Sequence, residues 1–241
     1  MPNKAVVFSV KNHIAGIILK KPIIGQDATQ ELAEVCRQIH EDDDIYVVVL
    51  TGSGKVFCQG GENIGEAFHP AAAIAAIEQP VIAAINGDSL GMGLELALSC
   101  DIRVASDKAH FAMSQLAKGI IPADGGTQRL TRIIGRGKAL ELLLTAETIT
   151  AAGALEIGLV SKVVPANALT DEVIKLAETI AAKGPIALRY LKEAVLKGLD
   201  MTLEQGLKFE ADLYFLLHTT SDRTEGIKSF LEKRTPKYKG K

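Results

Sequence analysis

Apolar positions in the first half of the chain gather into short, mostly β-branched runs, each followed by a glycine-rich or polar turn. Ala5-Val-Val-Phe-Ser-Val10 and Ile14-Ala-Gly-Ile-Ile-Leu19 predict paired strands around a turn at Lys11 to His13. Leu32, Val35, Cys36 and Ile39 recur at helical spacing and predict a helix from about Ala28 to His40. Ile45-Tyr-Val-Val-Val-Leu50 and Pro80-Val-Ile-Ala-Ala-Ile85 are short and apolar enough to be buried strands, and the strand, turn and helix recur near Ile102 to Met113. Beyond that the period is helical over Gly137 to Thr145, Ala151 to Gly158, Thr170 to Lys183, Pro185 to Leu199 and Leu203 to His218, with a break at Gly184-Pro185. This order predicts an α/β fold whose sheet-forming half precedes a helical one. Leu203, Leu207, Leu213, Tyr214, Phe215, Leu216 and Leu217 put more apolar surface on one helix than a monomer's outer layer needs, so an oligomer interface is expected there.

Composition narrows the class without naming it. At 241 residues and 47% hydrophobic content the chain can bury one substantial core. Its 27 basic residues against 29 acidic ones give no electrostatic footprint for nucleic acid. No apolar run is long enough to span a membrane and the N-terminus does not read as a secretion signal, so a cytoplasmic protein without a membrane partner is expected. Cys36, Cys58 and Cys100 are odd in number and widely spaced, and His13, His40, His69, His110 and His218 lack ligand spacing; neither a disulfide framework nor a metal site is expected. Of the histidines, His69 alone is placed where it could line a pocket.

Two turns carry the candidate chemistry. Lys55-Val-Phe-Cys-Gln-Gly-Gly-Glu62 follows one buried run, and Asn86-Gly-Asp-Ser-Leu-Gly-Met-Gly-Leu-Glu95 follows the other. Gly60, Gly61, Gly91 and Gly93 let the main chain turn tightly and approach a ligand with no side chain between. If the second turn opens a helix, its free amides also carry the helix's positive end. A pair of such donors forms an oxyanion hole, which stabilises charge developing on a carbonyl oxygen. Cys58, beside these glycines, reads as a small apolar filler rather than a nucleophile, because no histidine is close in sequence. Thr51-Gly-Ser-Gly-Lys55 lacks the full spacing of a phosphate loop, and Gly91-Met-Gly93 lacks the third glycine of a dinucleotide fingerprint.

These turns, together with Ile85-Asn-Gly87, Cys100-Asp101, Phe111, Gly119, Pro122, Gly125-Gly-Thr-Gln-Arg-Leu130, Ile134-Gly135 and Gly158-Leu-Val160, resemble the crotonase (enoyl-CoA hydratase/isomerase) superfamily. The resemblance is strongest from Lys55 to Val164 and resumes at Glu225-Gly226 and Phe230-Leu-Glu-Lys-Arg234. It implies a spiral core of repeated strand-strand-helix units over residues 1–184 and a C-terminal helical trimerisation region over residues 185–241, with trimers able to pair into hexamers. It implies an acyl-CoA thioester substrate, or a carrier-protein thioester, and no cofactor beyond the CoA of the substrate. The oxyanion donors it implies are the main-chain amides of Gln59 and Met92, lined by Cys58, Gly60, Gly61, Gly91 and Gly93. Some relatives bind RNA without catalysis, a use that the acidic balance of this chain argues against.

Glu95 matches the first catalytic glutamate of the hydratases. The second is expected twenty residues later, where this chain has Gln115, which can orient a water but cannot exchange a proton as an acid or base. Asp124 resembles the acid of dienoyl-CoA isomerases, aligned with a one-residue gap, and can equally be read as the cap of a helix beginning at Gly125. Hydration by Glu95 with Gln115 and double-bond isomerisation by Glu95 with Asp124 are therefore both open. The segment Lys20 to Asp27 and the stretch Asn63 to Gln79 are shorter than is usual in the family, which implies a pocket wall that could admit a bulky acyl group.

Overall fold

A strand of one sheet, a short strand of a second and then a helix recur along the first part of the chain. The computed structural model describes residues 4–61 and 69–241. Glu62 and residues 63–68 of the shortened wall lie outside the described residues. The chain opens with β1 (Val6–Lys11), β2 (Ile14–Leu19), β3 (Ile23–Ile24) and α1 (Gln26–Glu41). A second pass gives β4 (Val47–Gly52), β5 (Val56–Cys58), β6 (Gly60–Gly61) and α2 (Pro70–Ala75). A third gives β7 (Val81–Ile85), β8 (Asp88–Leu90) and α3 (Met92–Ser99). A fourth begins with β9 (Ile102–Ser106) and β10 (His110–Ala112), then runs through α4 (Gly126–Ile134), α5 (Arg136–Thr145), β11 (Ile149–Thr150), α6 (Ala151–Glu156), β12 (Lys162–Val164) and α7 (Leu169–Ala181). The helices α8 (Pro185–Gly198), α9 (Leu203–Leu217) and α10 (Ser221–Leu231) follow.

The first sheet has six strands in the order β1-β2-β4-β7-β9-β12, parallel apart from the β1–β2 hairpin. That hairpin turns on Asn12 and His13, both at positive φ, the conformation that matches the twist of two joined strands. The second sheet runs β11-β10-β8-β5, and β3 pairs in parallel with β6. Strand alternation divides the core. Val48, Leu50, Val81, Ala83 and Ile85 pack with Leu32, Ile39, Ile74 and Leu94 of the first three helices. Their neighbours Val47, Ile82, Ala84 and Val104 pack on Leu169, Val173 and Ala177 of α7. Covered on both faces, these parallel strands read as unbroken apolar runs instead of alternating ones.

Side chains rather than ladder bonds fix the joints. Asn86 accepts from the Gly52 amide and donates to the carbonyls of Gly54 and Val56, so the Thr51 to Lys55 string is a turn pinned to the start of β8. Asp101 accepts from the Val81 amide at 2.7 Å and pairs at 2.8 Å with the nearly buried Lys192 ammonium, which also donates to the carbonyls of Ile77 and Gln79 and so moors α8 to the core. On α9, Leu213 is buried whereas Leu203, Leu207, Tyr214, Phe215 and Leu216 are exposed. Among the described residues no helix is long and apolar enough to cross a membrane.

Candidate active site

The site is built around a buried carboxylate in the first turn of α3. Glu95 is 2% exposed, because α3 is enclosed by β5, β6 and β8 and by α2 and α4. Its Oε1 accepts hydrogen bonds from the main-chain amides of Asp124 at 2.8 Å and Gly126 at 3.0 Å, while Oε2 accepts from Gln115 Nε2 at 2.8 Å. Burial pushes the Glu95 pKa above the ordinary carboxylate value, and the nearby Asp124 charge adds to the rise against these donors. Such a group is poised to exchange a proton.

Gln115, just before a 3-10 turn at Leu116–Lys118, has its Nε2 committed to Glu95, but its Oε1 is buried without a partner. A buried amide oxygen left unmatched costs free energy unless a ligand or water donates to it. Its position places that acceptor beside the Glu95 carboxylate.

Two main-chain segments abut at the start of α3. Gly91, at φ 54°, caps α3, and its carbonyl takes the amides of Leu94 and Glu95, so the Met92 amide falls among the first-turn donors that a helix leaves without an internal partner. Gly93 lies directly on β5: a Cβ there would sit 2.0 Å from the Cys58 carbonyl oxygen. Gly61 lies against the Met92 side chain, where a Cβ would meet Sδ and Cε at 2.7 Å. Cys58 is fully buried, its thiol donates to the Gly60 carbonyl at 3.4 Å, and burial pushes its pKa up to about 11, the state of a filler and not of a nucleophile.

The Gln59 amide lies at the junction of β5 and β6. It donates to the Pro22 carbonyl at 2.7 Å, continuing the β3–β6 pairing, and the Gln59 side chain reaches the half-buried Asp88 at 3.5 Å. Gly60 follows at φ 136°, a conformation open to glycine, which breaks the strand alternation before Gly61.

Asp124 is turned elsewhere as well. Its Oδ2 accepts from the Ala71 amide at 2.5 Å and its Oδ1 from the Ala72 amide at 3.1 Å, so it caps α2 from across the fold and not the adjacent helix α4, which starts one residue later than expected. His69, half-exposed, lies with Nδ1 3.6 Å from Asp124 Oδ1. Sequence spacing had no means of joining residues 71 and 124, since a cap from a distant segment leaves no local pattern.

A family model described as enoyl-CoA hydratase/isomerase matches residues 9–241. The chain is 41% identical to YngF of Bacillus subtilis strain 168, a relative carrying the same family name, over 98% of each chain. It is 38% identical to the (E)-benzylidenesuccinyl-CoA hydratase of Thauera aromatica, over 98% of this chain and 99% of that one. Among solved structures, an enoyl-CoA hydratase from Bacillus anthracis superposes with a TM-score of 0.92 at 40% identity, covering 98% of this chain and all of the other.

Proposed function

The chain belongs to the enoyl-CoA hydratase/isomerase family, and from that premise we propose that it catalyses the reversible addition of water to a 2-enoyl-CoA thioester. The observation that carries this reading is the unmatched Gln115 Oε1 beside Glu95, which forms a site for a water molecule. That water donates one hydrogen to Gln115 Oε1 and the other to the Glu95 carboxylate. Glu95 accepts the second proton as the water oxygen bonds to C3 of the enoyl group, and the electron pair of the double bond moves to the thioester oxygen as an enolate. Glu95 then returns the proton to C2, so one acid/base serves both halves of the reaction.

The enolate oxygen needs two fixed donors. The Met92 amide at the start of α3 is one. We assign the other to Gly61, not Gln59, because the Gln59 amide is taken by Pro22 and Gly61 is the residue that lies against Met92. Each such donor is worth roughly 10²–10³ in rate in other acyl chemistries. Cys58, Gly60, Gly91 and Gly93 line and shape this hole, and no redox cofactor has a role in these steps. An isomerase using Asp124 has less support, since both of its carboxylate oxygens hold α2 amides.

The exposed apolar face of α9 supports assembly as trimers, or multiples of three, through the helices beyond residue 184. The activity is tested with a panel of short and aryl-substituted 2-enoyl-CoA, 3-enoyl-CoA and dienoyl-CoA thioesters, followed through the thioester-conjugated chromophore. Loss of that chromophore with 2-enoyl substrates is expected. Turnover confined to 3-enoyl or dienoyl substrates would overturn the proposal.

A further inference from the structure

Asp124 makes contacts in two directions at once. Its carboxylate takes the first free amides of α2, at Ala71 and Ala72, and its own main-chain amide donates to Glu95 Oε1. The turn that carries it is held on both sides: Gly126 also donates to Glu95 Oε1, and Arg129 Nη1 donates to the Asp124 carbonyl at 2.8 Å. There is no slack in this turn, since a Cβ on Gly126 would lie 3.0 Å from Glu95 Oε1 and 2.8 Å from Pro122 Cβ. The segment that Asp124 grips is the described part of the shortened wall, where Ala71 and Ile74 are fully buried and α2 packs on both α1 and α3.

We propose that Asp124 is a positioning residue for Glu95: its carboxylate fastens the wall helix α2 to the turn whose amides aim the acid/base, so that wall and Glu95 are placed as one body. Asp124 exchanges no proton with substrate. Its carboxylate is nearly buried, with the α2 amides on one side and His69 on its open edge. An acyl chain that presses on α2 therefore bears on the aim of Glu95, and acyl preference and turnover are coupled through this residue. Small misplacements of a reacting group are costly, about 10²-fold for roughly 1 Å.

The proposal rests on Glu95 as acid/base, and that reading is tested separately: if Glu95→Gln keeps its turnover, the reading of the site fails whatever Asp124 does. For Asp124 itself, the purified variants Asp124→Asn, Asp124→Ala and Asp124→Ser are compared by kcat and KM on a short and a bulky 2-enoyl-CoA. Asparagine keeps an acceptor for the α2 amides, so a loss in kcat of about two- to fivefold is expected. Alanine and serine cannot span the gap; kcat should fall by about 10²-fold, with KM for the bulky substrate changing more than KM for the short one. Serine serves in place of alanine should the latter not fold. Asparagine as inactive as alanine and serine would show that the carboxylate itself moves a proton, and wild-type kinetics in the alanine or serine variant would show that the grip on α2 does not matter. Either result overturns the proposal.

Discussion

Gln115 donates its side-chain amide to Glu95 Oε2 across 2.8 Å, while its own Oε1 stays buried and unmatched. One residue thereby holds Glu95 and presents an acceptor beside it. Replacing Gln115 with leucine removes both functions and should lower hydration by about tenfold or more, within the range that positioned polar groups contribute. Gln115→Glu sets a second carboxylate against Glu95, so the pair should share a proton and titrate in two separated steps. Hydration of a short 2-enoyl-CoA is expected to rise, with the acidic member protonated to higher pH; a pH profile of kcat measures both.

Glu95→Gln should leave the fold intact and remove most activity, a loss of roughly 10²–10⁴ in kcat. Steady-state turnover alongside a thermal melt checks this, and turnover close to that of the unaltered protein would refute the role.

The same substitution should reverse sign in stability. The pKa of Glu95 is raised in the folded protein, so the native state holds its proton more tightly than the unfolded chain. Stability from this group is then lost as pH climbs from the unfolded value, near 4.5, through the raised folded one. Glutamine carries no such burden, and once the Gln115 amide turns over, the new side chain's NH2 can donate to Gln115 Oε1. Glu95→Gln should therefore melt higher than the unaltered protein above that window, with the gap closing as pH falls to 4.5. Melting temperatures across a pH series would show it.

Gly93→Ala and Gly61→Ala separate rigid from yielding contacts. At Gly93 the new methyl meets the Cys58 carbonyl at 2.0 Å, whereas at Gly61 it meets the flexible end of Met92. The first should cost about 3 kcal/mol or more in denaturant unfolding and the second about 1 kcal/mol. Gly61→Ala should still lower kcat, because Met92 must move beside the proposed oxyanion donors.

Phe215→Glu, with Leu207→Lys as a second variant, should dissociate the proposed trimer, since both side chains are exposed on α9 and charges would be buried in the interface. Sedimentation at micromolar concentration reads the result, and a monomer before substitution would remove the premise.

The periodic parts of the chain were legible because burial imposes a period. The helix read from Leu32, Val35 and Ile39 is α1, and the run read from Pro80 to Ile85 is β7, a central strand. The glycine-rich turns were legible as turns, but the bond from the Gln59 amide to the Pro22 carbonyl was not, since it follows from a strand pairing of two residues. Asp124 could be read as a cap, but the amide that it caps, that of Ala71 in α2, lies 53 positions away, and nothing local marks that partner. The acceptor on Gln115 was equally silent, since an unmatched atom exists only once its surroundings are packed.

The contact of Gly93 on the Cys58 carbonyl sets a limit on how this scaffold can diversify. Behind the hole proposed for the enolate, Gly93 is pressed on main chain, so a side chain at that glycine would push the start of α3 away from β5. Heritable change toward new acyl groups is then channelled into the walls and into residues such as Gln115. A rigid floor of this kind leaves the walls as the part of the pocket that can change without unseating α3.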